Sequence, residues 1–467
     1  MDIGYAFAEN IVRTSAADLP LEVMEMTKKC ILDLLGCIFA GSALSPDAKN
    51  VVKMFVDAEG RAEATIIGQV GKVPAWSAAF SNGVLAHALD FDDIVDETAV
   101  HPSLCTIPAA LALAEKTGRL TGKDFITAIA LGNDLICRLG AAIKKKQEGL
   151  VLGFRPAPVL GIFGAVAAAA KVLKLDTETV VDALGIAFHQ GAAGTFEAFL
   201  GPGDVKIREL YGGFIGWNGV VAALMAQRGI TGIKTSFEGP AGLFNLYFQG
   251  KYDREYLMAD LGKRFDGLSV SLKPWATNRM MHAPVQAAIE ISQEYDIHPD
   301  DVAEITIYLT RGLPKSSDEI KIPRTSTEAR IHLPFCVAAA IAHRGLSIGN
   351  FTEGGLTDKT TLSLTEKVQF ADSDITTSSV FFPPGKVMIR VKSGEAFVKQ
   401  VDIVRGHPST PMTFEDVADK FRDCAAFLPF QEEVENIIKM IGELEKMKDM
   451  RLVTNRIAQL YVIRLRA

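Results

Sequence analysis

Residues 161–176, GIFGAVAAAAKVLKLD, consist almost entirely of glycine, alanine and aliphatic side chains as far as Lys171. A helix of this composition is apolar on every side, so it has no face that favours water. We therefore expect it to be buried among other helices rather than to lie on a surface. The stretch indicates a domain whose core is made of packed helices.

The sequence on both sides of this stretch is also of helical type. In residues 21–40, apolar side chains such as Val23, Ile31 and Leu35 recur on one helical face, and Gly41 then ends the run. Similar patterns predict further helices over residues 76–90, 102–117, 123–143, 158–174, 177–189 and 215–228.

The pattern changes near residue 265. Residues 301–310 alternate apolar and polar side chains, which predicts a strand, and residues 386–404 predict strand structure with a hairpin turn at Ser-Gly-Glu. We expect a mainly α fold with a smaller α+β domain inserted into a large helical domain. The expected boundaries are 1–265 for the helical domain, 266–405 for the α+β domain, and 406–467 for C-terminal helices that pack on the helical domain.

Composition and charge limit the partners. The 467 residues carry a net charge of −7, which leaves no basic excess for nucleic acid, although a local basic group can still bind a small anion. The six scattered cysteines lack metal-site spacing and favour a reduced, cytoplasmic setting. The chain begins with no signal-like segment, and charges interrupt its apolar runs before the about 20 residues that span a membrane. We expect a soluble protein with no membrane partner.

The most informative segment for chemistry is residues 82–103, NGVLAHALDFDDIVDETAVHPS. Several carboxylates so close together repel one another unless cations or protons compensate, and a helix cap uses only one of them. A polar loop with a capping aspartate would explain part of the pattern. A carboxylate–imidazole cluster that handles protons explains more of it. The residues concerned are Asp90, Asp92, Asp93, Asp96, Glu97 and His101.

Basic side chains occur in three loops that lead into predicted helices. Taken singly, each could be an ordinary surface charge. Together they predict a pocket for carboxylates, because arginine suits bidentate carboxylate binding and lysine supplies a point charge. The residues are Arg155 in the first loop, Lys206 and Arg208 in the second, and Lys273, Arg279 and His282 in the third.

Residues 92–96, DDIVD, permit a rival interpretation. In helical isoprenoid synthases an Asp-Asp-x-x-Asp sequence holds magnesium, but residues 133–137, NDLIC, lack the rest of the required second cluster. The chain also has no histidine pair with metal-site spacing and no nucleotide or cofactor fingerprint. We therefore expect chemistry by side chains alone, with no metal and no cofactor.

Four blocks carry a family resemblance over nearly the whole chain: residues 82–103, residues 153–176 (GFRPAPVLGIFGAVAAAAKVLKLD), KPWATNRMMHAPVQAAIE and PRTSTEARIHLPF. They resemble the MmgE/PrpD family, which includes 2-methylcitrate dehydratase, cis-aconitate decarboxylase and iminodisuccinate epimerase. The resemblance implies a homodimer of a large helical and a smaller α+β domain, with the site between the domains. It also implies a small anionic polycarboxylate as substrate.

The resemblance also implies which residues of this chain form the site. Asp90 and His101 match family site positions in the first block, and Lys273 and His282 match those in the third. Arg279 falls on a further family position.

The second block departs from the family, because Arg155 stands where a histidine is usual and an arginine cannot act as a neutral base. The loop lysine of the family corresponds either to Lys206 or to Arg208.

The resulting hypothesis is a cofactor-free hydro-lyase that acts on a hydroxy-polycarboxylate similar to methylcitrate. His101, oriented by Asp90, and His282 would exchange protons. Lys273, Arg279 and Arg155 would bind carboxylates and enolate-like charge. Decarboxylation or epimerisation of similar acids stays open, and so does a protein that binds an anionic metabolite without converting it.

Overall fold

The computed structural model of the chain divides by internal contacts into two compact units. We call them the helical unit, Met1–Ala88, Asp92–Ser271 and Thr413–Ala467, and the mixed unit, Leu89–Phe91 and Leu272–Met412. The residues that the structure describes are 1–146, 153–191, 206–309, 322–373, 375 and 382–464, without the side chains of Lys206, Arg208, Leu309 and 462–464.

The described part of the helical unit is built mainly from helices, most of them long. They are α1 (Ile3–Arg13), α2 (Leu21–Leu44), α3 (Pro46–Asp57), α4 (Ala75–His87), α5 (Pro102–Thr117), α6 (Gly122–Lys144), α7 (Pro156–Leu173), α8 (Thr177–Gln190), α9 (Tyr211–Gln227), α10 (Leu243–Phe248), α11 (Arg254–Met258) and, after the mixed unit, α17 (Phe414–Ala425), α18 (Val434–Gly442) and α19 (Arg451–Arg464). A short antiparallel pair, β1 (Ala64–Thr65) and β2 (Lys72–Val73), accompanies them.

Helix α7 confirms the prediction from its composition, since its residues from 157 to 170 are buried. It packs against α5, α6 and α9. Glycine makes the closest of these approaches possible: a Cβ added at Gly164 would lie 2.3 Å from Ile136 and 2.7 Å from the carbonyl oxygen of Gly132. Small residues therefore let α6 and α7 approach at a distance that larger side chains would prevent.

In the described part of the chain, two helices, α6 and α7, are long and apolar enough to span a membrane by length and composition alone, contrary to the expectation from the sequence. The bent pair α2 and α3 would be a third if it counted as one span. In the helical unit, 94% of the apolar window of α6 and 83% of that of α7 are buried. Packing within this unit accounts for their composition.

The mixed unit combines a four-stranded sheet with shorter helices. Its strands are β3 (Val302–Leu309), β4 (Val368–Asp372), β5 (Gly385–Val391) and β6 (Ala396–Val401), and its helices are α12 (His282–Glu294), α13 (Ser326–Arg330), α14 (Leu333–His343), α15 (Glu353–Leu356) and α16 (Lys359–Thr365).

The sheet order is β4-β3-β5-β6, with β3 and β4 parallel and the other neighbours antiparallel. Ile305 pairs with Ile389 and Ile307 with Val387, and all four are fully buried. This is the face expected from the alternation in residues 301–310. The other predicted strand region is the β5–β6 hairpin, against which α12 packs.

The fold class, mainly α with a smaller α+β domain, is thus confirmed. The chain leaves the helical unit after Ser271 and returns to it at Thr413, a few residues after the predicted boundaries. The short segment Leu89–Phe91 belongs to the mixed unit, although it lies far from it in sequence. In this segment, the carboxylate of Asp90 forms an ion pair with Lys273.

Candidate active site

One buried carboxylate holds two imidazoles in the helical unit. Asp92 Oδ1 lies 2.8 Å from Nδ1 of His87, the last residue of α4, and Asp92 Oδ2 lies 2.8 Å from Nδ1 of His101. His101 directly precedes α5. The side chains of the three residues are at most 6% exposed. The ends of two helices therefore position one His–Asp–His cluster.

The two imidazoles stabilise the negative charge of the carboxylate in this cluster. Burial opposes ionisation of Asp92, but the charges and hydrogen bonds of His87 and His101 outweigh burial and hold the pKa of Asp92 well below its usual range. With Asp92 ionised, each imidazole carries its hydrogen on Nδ1. In its neutral form each ring then has its lone pair on Nε2, the nitrogen suited to proton exchange.

One aromatic ring contacts both imidazoles and also an arginine. The ring of Tyr211 meets His87 edge to face, with centroids 4.7 Å apart, and His101 similarly at 6.1 Å. The guanidinium carbon of Arg155 lies 4.8 Å from the centroid of the same tyrosine ring. The Tyr211 ring therefore contacts both the His–Asp–His cluster and the guanidinium of Arg155.

Asp93 is buried beside this cluster and stabilises the start of α5. Both of its carboxylate oxygens lie 3.3 Å from the backbone N–H of Ser103. Burial raises the pKa of Asp93 to about 8; hydrogen bonds from Ser103 oppose the shift, and the charges of Asp92 and Asp33 add to it. Asp93 is thus a largely neutral acid at pH 7, and it fixes the helix end from which His101 projects.

In the mixed unit, Lys273 holds Asp90. The Nζ of Lys273 lies 2.6 Å from Oδ1 of Asp90 and 2.7 Å from its carbonyl oxygen, while the amide of Asn278 donates to Oδ2 at 3.2 Å. Asp90 has φ of 51°, a left-handed conformation that costs a non-glycine residue about 1–3 kcal/mol. The double contact with Lys273 compensates for that cost.

His282 is a fully buried neutral imidazole in the same unit. Its Nε2 lies 3.1 Å from the carbonyl oxygen of Thr277, so Nε2–H is the donor and Nδ1 keeps the lone pair. Among the described residues, Nδ1 has no hydrogen-bond partner. Burial, reinforced by the charges of Arg279 and Lys273, holds the pKa of His282 well below its usual range. His282 is therefore a hydrogen-bond acceptor at Nδ1 and a weaker base than an ordinary imidazole.

The predicted site residues fall into two groups. His101 and Arg155 lie in the helical unit, whereas Asp90, Lys273, Arg279 and His282 lie together in the mixed unit. Lys206 and Arg208 are in a 3₁₀ turn, and their side chains are outside the described part of the chain.

The aspartate that orients His101 is a correction to the sequence hypothesis. The structure places Asp92 against Nδ1 of His101, whereas Asp90 is bound by Lys273. His87 and Tyr211 are not among the residues that the sequence hypothesis assigned to the site. The signal for His87 was its position five residues before Asp92 at a helix end; Tyr211 had none.

The magnesium interpretation finds no support in these acidic groups. Asp92 is engaged by two imidazoles, and Asp134, in the proposed second cluster, lies 3.3 Å from the fully buried Arg138. His87, Asp92 and His101 do offer three metal-ligand atoms within 4.8 Å of one another. An ion bound through the two Nδ1 atoms would replace both Nδ1–carboxylate contacts, since zinc needs each ligand atom at about 2.0–2.2 Å.

The chain is similar to known proteins over almost its whole length. The sequence profile of the MmgE/PrpD N-terminal domain matches residues 5–255, and that of the MmgE/PrpD C-terminal domain matches residues 275–446. The chain is 26% identical to a cis-aconitate decarboxylase of Homo sapiens, over 96% of this chain and 93% of that protein. It is 25% identical to a cis-aconitate decarboxylase of Aspergillus terreus, over 93% of this chain and 91% of that protein. The protein therefore belongs to the MmgE/PrpD family.

Proposed function

We propose that the protein is a lyase that acts on a small polycarboxylate and uses side chains alone to form and protonate negative charge on a carbon beside a carboxylate. The family and the lyases among its relatives support the reaction class. A cytoplasmic homodimer, expected from the composition and the family resemblance, is part of the proposal.

The contact between His101 and Asp92 carries the proposal. An ionised carboxylate at 2.8 Å from Nδ1 keeps the hydrogen on that nitrogen and stabilises the imidazolium that forms when Nε2 takes a proton. The same pair can then return the proton to carbon. A base that is oriented and charge-stabilised in this way contributes about 10²- to 10⁴-fold to proton transfer.

Cationic side chains would bind the carboxylates and stabilise the charge that develops. Arg155 in the helical unit, and Lys273 and Arg279 in the mixed unit, are the residues proposed for this role. Lys273 already binds one carboxylate, that of Asp90.

Decarboxylation is the first branch to test, because the human and fungal relatives are named cis-aconitate decarboxylases. In that reaction the bond from carbon to the departing carboxylate breaks and its electron pair stays on carbon. Carbon dioxide leaves, and the His101 imidazolium donates its proton to the carbon. One proton carrier is sufficient.

Dehydration is the second candidate, and the neutral His282 favours it. Removal of water needs a base for the carbon proton and an acid for the departing hydroxyl, hence two proton carriers. His282 keeps a buried lone pair on Nδ1 and is a second such group besides His101. The carbon–hydrogen electron pair would form the new double bond as the hydroxyl leaves with a proton.

Proton NMR in deuterated water, with chelator-treated protein, tests the proposal. The panel contains cis-aconitate, citrate, 2-methylcitrate and aspartate-derived diacids. Loss of carbon dioxide identifies a decarboxylase, formation of an alkene with loss of water a dehydratase, and deuterium exchange with inversion an epimerase. His101→Ala should remove the activity, and His298→Ala, at an exposed histidine, should retain it.

If no acid of the panel gives a product, two explanations remain, and the melting temperature of the protein with each acid distinguishes them. A raised melting temperature with a panel acid, but no product, would indicate a protein that binds the anion without converting it. Neither product nor a melting shift with any of these acids would overturn the proposed substrate class.

A further inference from the structure

We propose that Tyr211 is a positioning residue that holds the guanidinium of Arg155 next to the His–Asp–His cluster and so sets the affinity for one carboxylate of the substrate. The inference rests on the proposed function, because it assumes that Arg155 binds a substrate carboxylate. It adds a residue that the sequence did not indicate.

The position of Tyr211 is fixed by close helix packing. Tyr211 is the first residue of α9 and is 8% exposed. Directly after it, Gly212 and Gly213 let α9 approach α4: a Cβ at Gly83 would lie 2.5 Å from the carbonyl oxygen of Gly212. Since α4 ends at His87, the same contact fixes the tyrosine ring relative to the imidazoles.

The ring restricts an otherwise adaptable side chain. Arginine has many rotamers, and ordering it costs conformational entropy. A guanidinium at 4.8 Å from a tyrosine centroid gains attraction from the ring face. A guanidinium binds a carboxylate through its in-plane N–H groups, so a contact through its face does not compete with that binding.

The geometry also suits the proposed chemistry. Tyr211 touches both imidazoles with ring centroids 4.7 and 6.1 Å away, and it touches Arg155. A carboxylate bound by Arg155 would thus lie near the ring that also contacts the proton-exchanging imidazoles. The pair Arg155–Tyr211 would favour substrates that carry a carboxylate close to the reacting carbon.

A double-mutant cycle measured by calorimetry tests the inference with tricarballylate, a tricarboxylate without a reacting group, as the probe. Arg155→Met should weaken its binding about 10- to 100-fold, as expected for loss of a charge-assisted contact. Tyr211→Met should weaken it about 3- to 30-fold through loss of stacking. In the Arg155→Met background, Tyr211→Met should have no further effect, because the tyrosine acts through the arginine.

Two substitutions that keep an aromatic ring at position 211 test the inference even if Tyr211→Met does not fold. Tyr211→Phe keeps the ring face and should bind the probe like the wild type. A trifluorinated phenylalanine at position 211 has almost the same shape but a weaker negative face, and it should bind less tightly than phenylalanine. A purely structural role for the ring would give equal affinities for these two variants.

The outcomes separate the inference from the proposed function. Full affinity in Arg155→Met, or no binding of tricarballylate by the wild type, would overturn the carboxylate role of Arg155 and the inference with it. Weaker binding in Arg155→Met, together with additive effects in the cycle or equal affinities of the two phenylalanine variants, would overturn the role of Tyr211 alone.

Discussion

Asp92 and His101 are joined by a contact of 2.8 Å between Oδ2 and Nδ1, in a part of the helical unit where both side chains are buried. The other oxygen of the same carboxylate binds His87. One negative charge therefore fixes the tautomers of two imidazoles. The chemistry proposed for His101 depends on this arrangement more directly than on any other residue of the acidic segment.

Replacing Asp92 by asparagine should disturb the tautomers without removing bulk. A neutral amide offers an N–H group to one of the two Nδ1 atoms and so favours a lone pair there instead of a hydrogen. We expect turnover to fall by about 10²-fold or more. Nitrogen NMR of labelled histidines should report the tautomer change directly, whatever the substrate.

Glu97→Gln is the matched control, because Glu97 is an exposed acid of the same loop. It should leave turnover and the histidine spectra unchanged. Unaltered histidine spectra in Asp92→Asn would contradict the assignment of the tautomers to this carboxylate.

The two imidazoles on Asp92 should differ in importance. His101→Asn should lower kcat by about 10²- to 10⁴-fold with a small change in KM, because it removes the proton carrier itself. His87→Asn should cost less, since His87 would act on the reaction only through Asp92. Steady-state kinetics on the substrate found by NMR measures both. Equal losses in the two variants would contradict the assignment of His101 as the proton carrier.

Much of the fold was predictable because hydrophobic patterns record which faces are buried. Residues 102–117 were predicted as a helix and form α5 with those limits. The alternation around Ile305 and Ile307 likewise matches a buried sheet face. The excursion of Leu89–Phe91 into the mixed unit was not predictable, because it depends on a contact with Lys273, nearly 200 residues away, that leaves no local pattern.

The sequence indicated which types of side chain form the site more readily than it indicated which of them contact one another. The acidic segment indicated a carboxylate–imidazole cluster, but Asp90 and Asp92 are two residues apart and the sequence does not state which one faces His101. Their backbone conformations decide the matter: the left-handed φ of Asp90 turns the chain at that point. Tyr211 was missed because its importance arises from ring contacts between segments distant in sequence.

Replacing Asp90 by asparagine should show how much its ion pair with Lys273 contributes to the stability of the fold. The ammonium of Lys273 is 1% exposed, so loss of the carboxylate charge would leave it buried with weaker compensation. Asparagine tolerates the left-handed backbone, so that conformation adds little to the effect. We expect a loss of about 2–4 kcal/mol in the free energy of unfolding, measured with urea.

The double variant Asp90→Asn, Lys273→Met supplies the control. Removing the buried charge together with its partner should restore part of the stability, as is common for buried ion pairs. If the double variant were less stable than Asp90→Asn by the full cost of a second independent change, the two side chains would not be coupled.

The last prediction concerns pH and Asp93, whose pKa is raised to about 8 by burial. The ordinary pKa of an unfolded aspartate is about 3.9, so between these two values the folded protein keeps a proton that the unfolded chain has lost. The contribution of Asp93 to stability is therefore complete below pH 4 and is lost as pH rises to about 8. The expected slope is about 1.4 kcal/mol per pH unit.

Asp93→Asn should remove this slope, because an amide resembles the neutral acid and does not ionise. The quantity to measure is the difference in unfolding free energy between wild type and variant, by urea denaturation from pH 5 to pH 8. Other buried groups, such as Asp134 with a pKa of about 6, affect both proteins and cancel in the difference. Asp57→Asn, at an exposed position, is the matched control variant. A flat difference for Asp93→Asn would mean that Asp93 is ionised in the folded protein, with a counter-charge close enough to offset its burial.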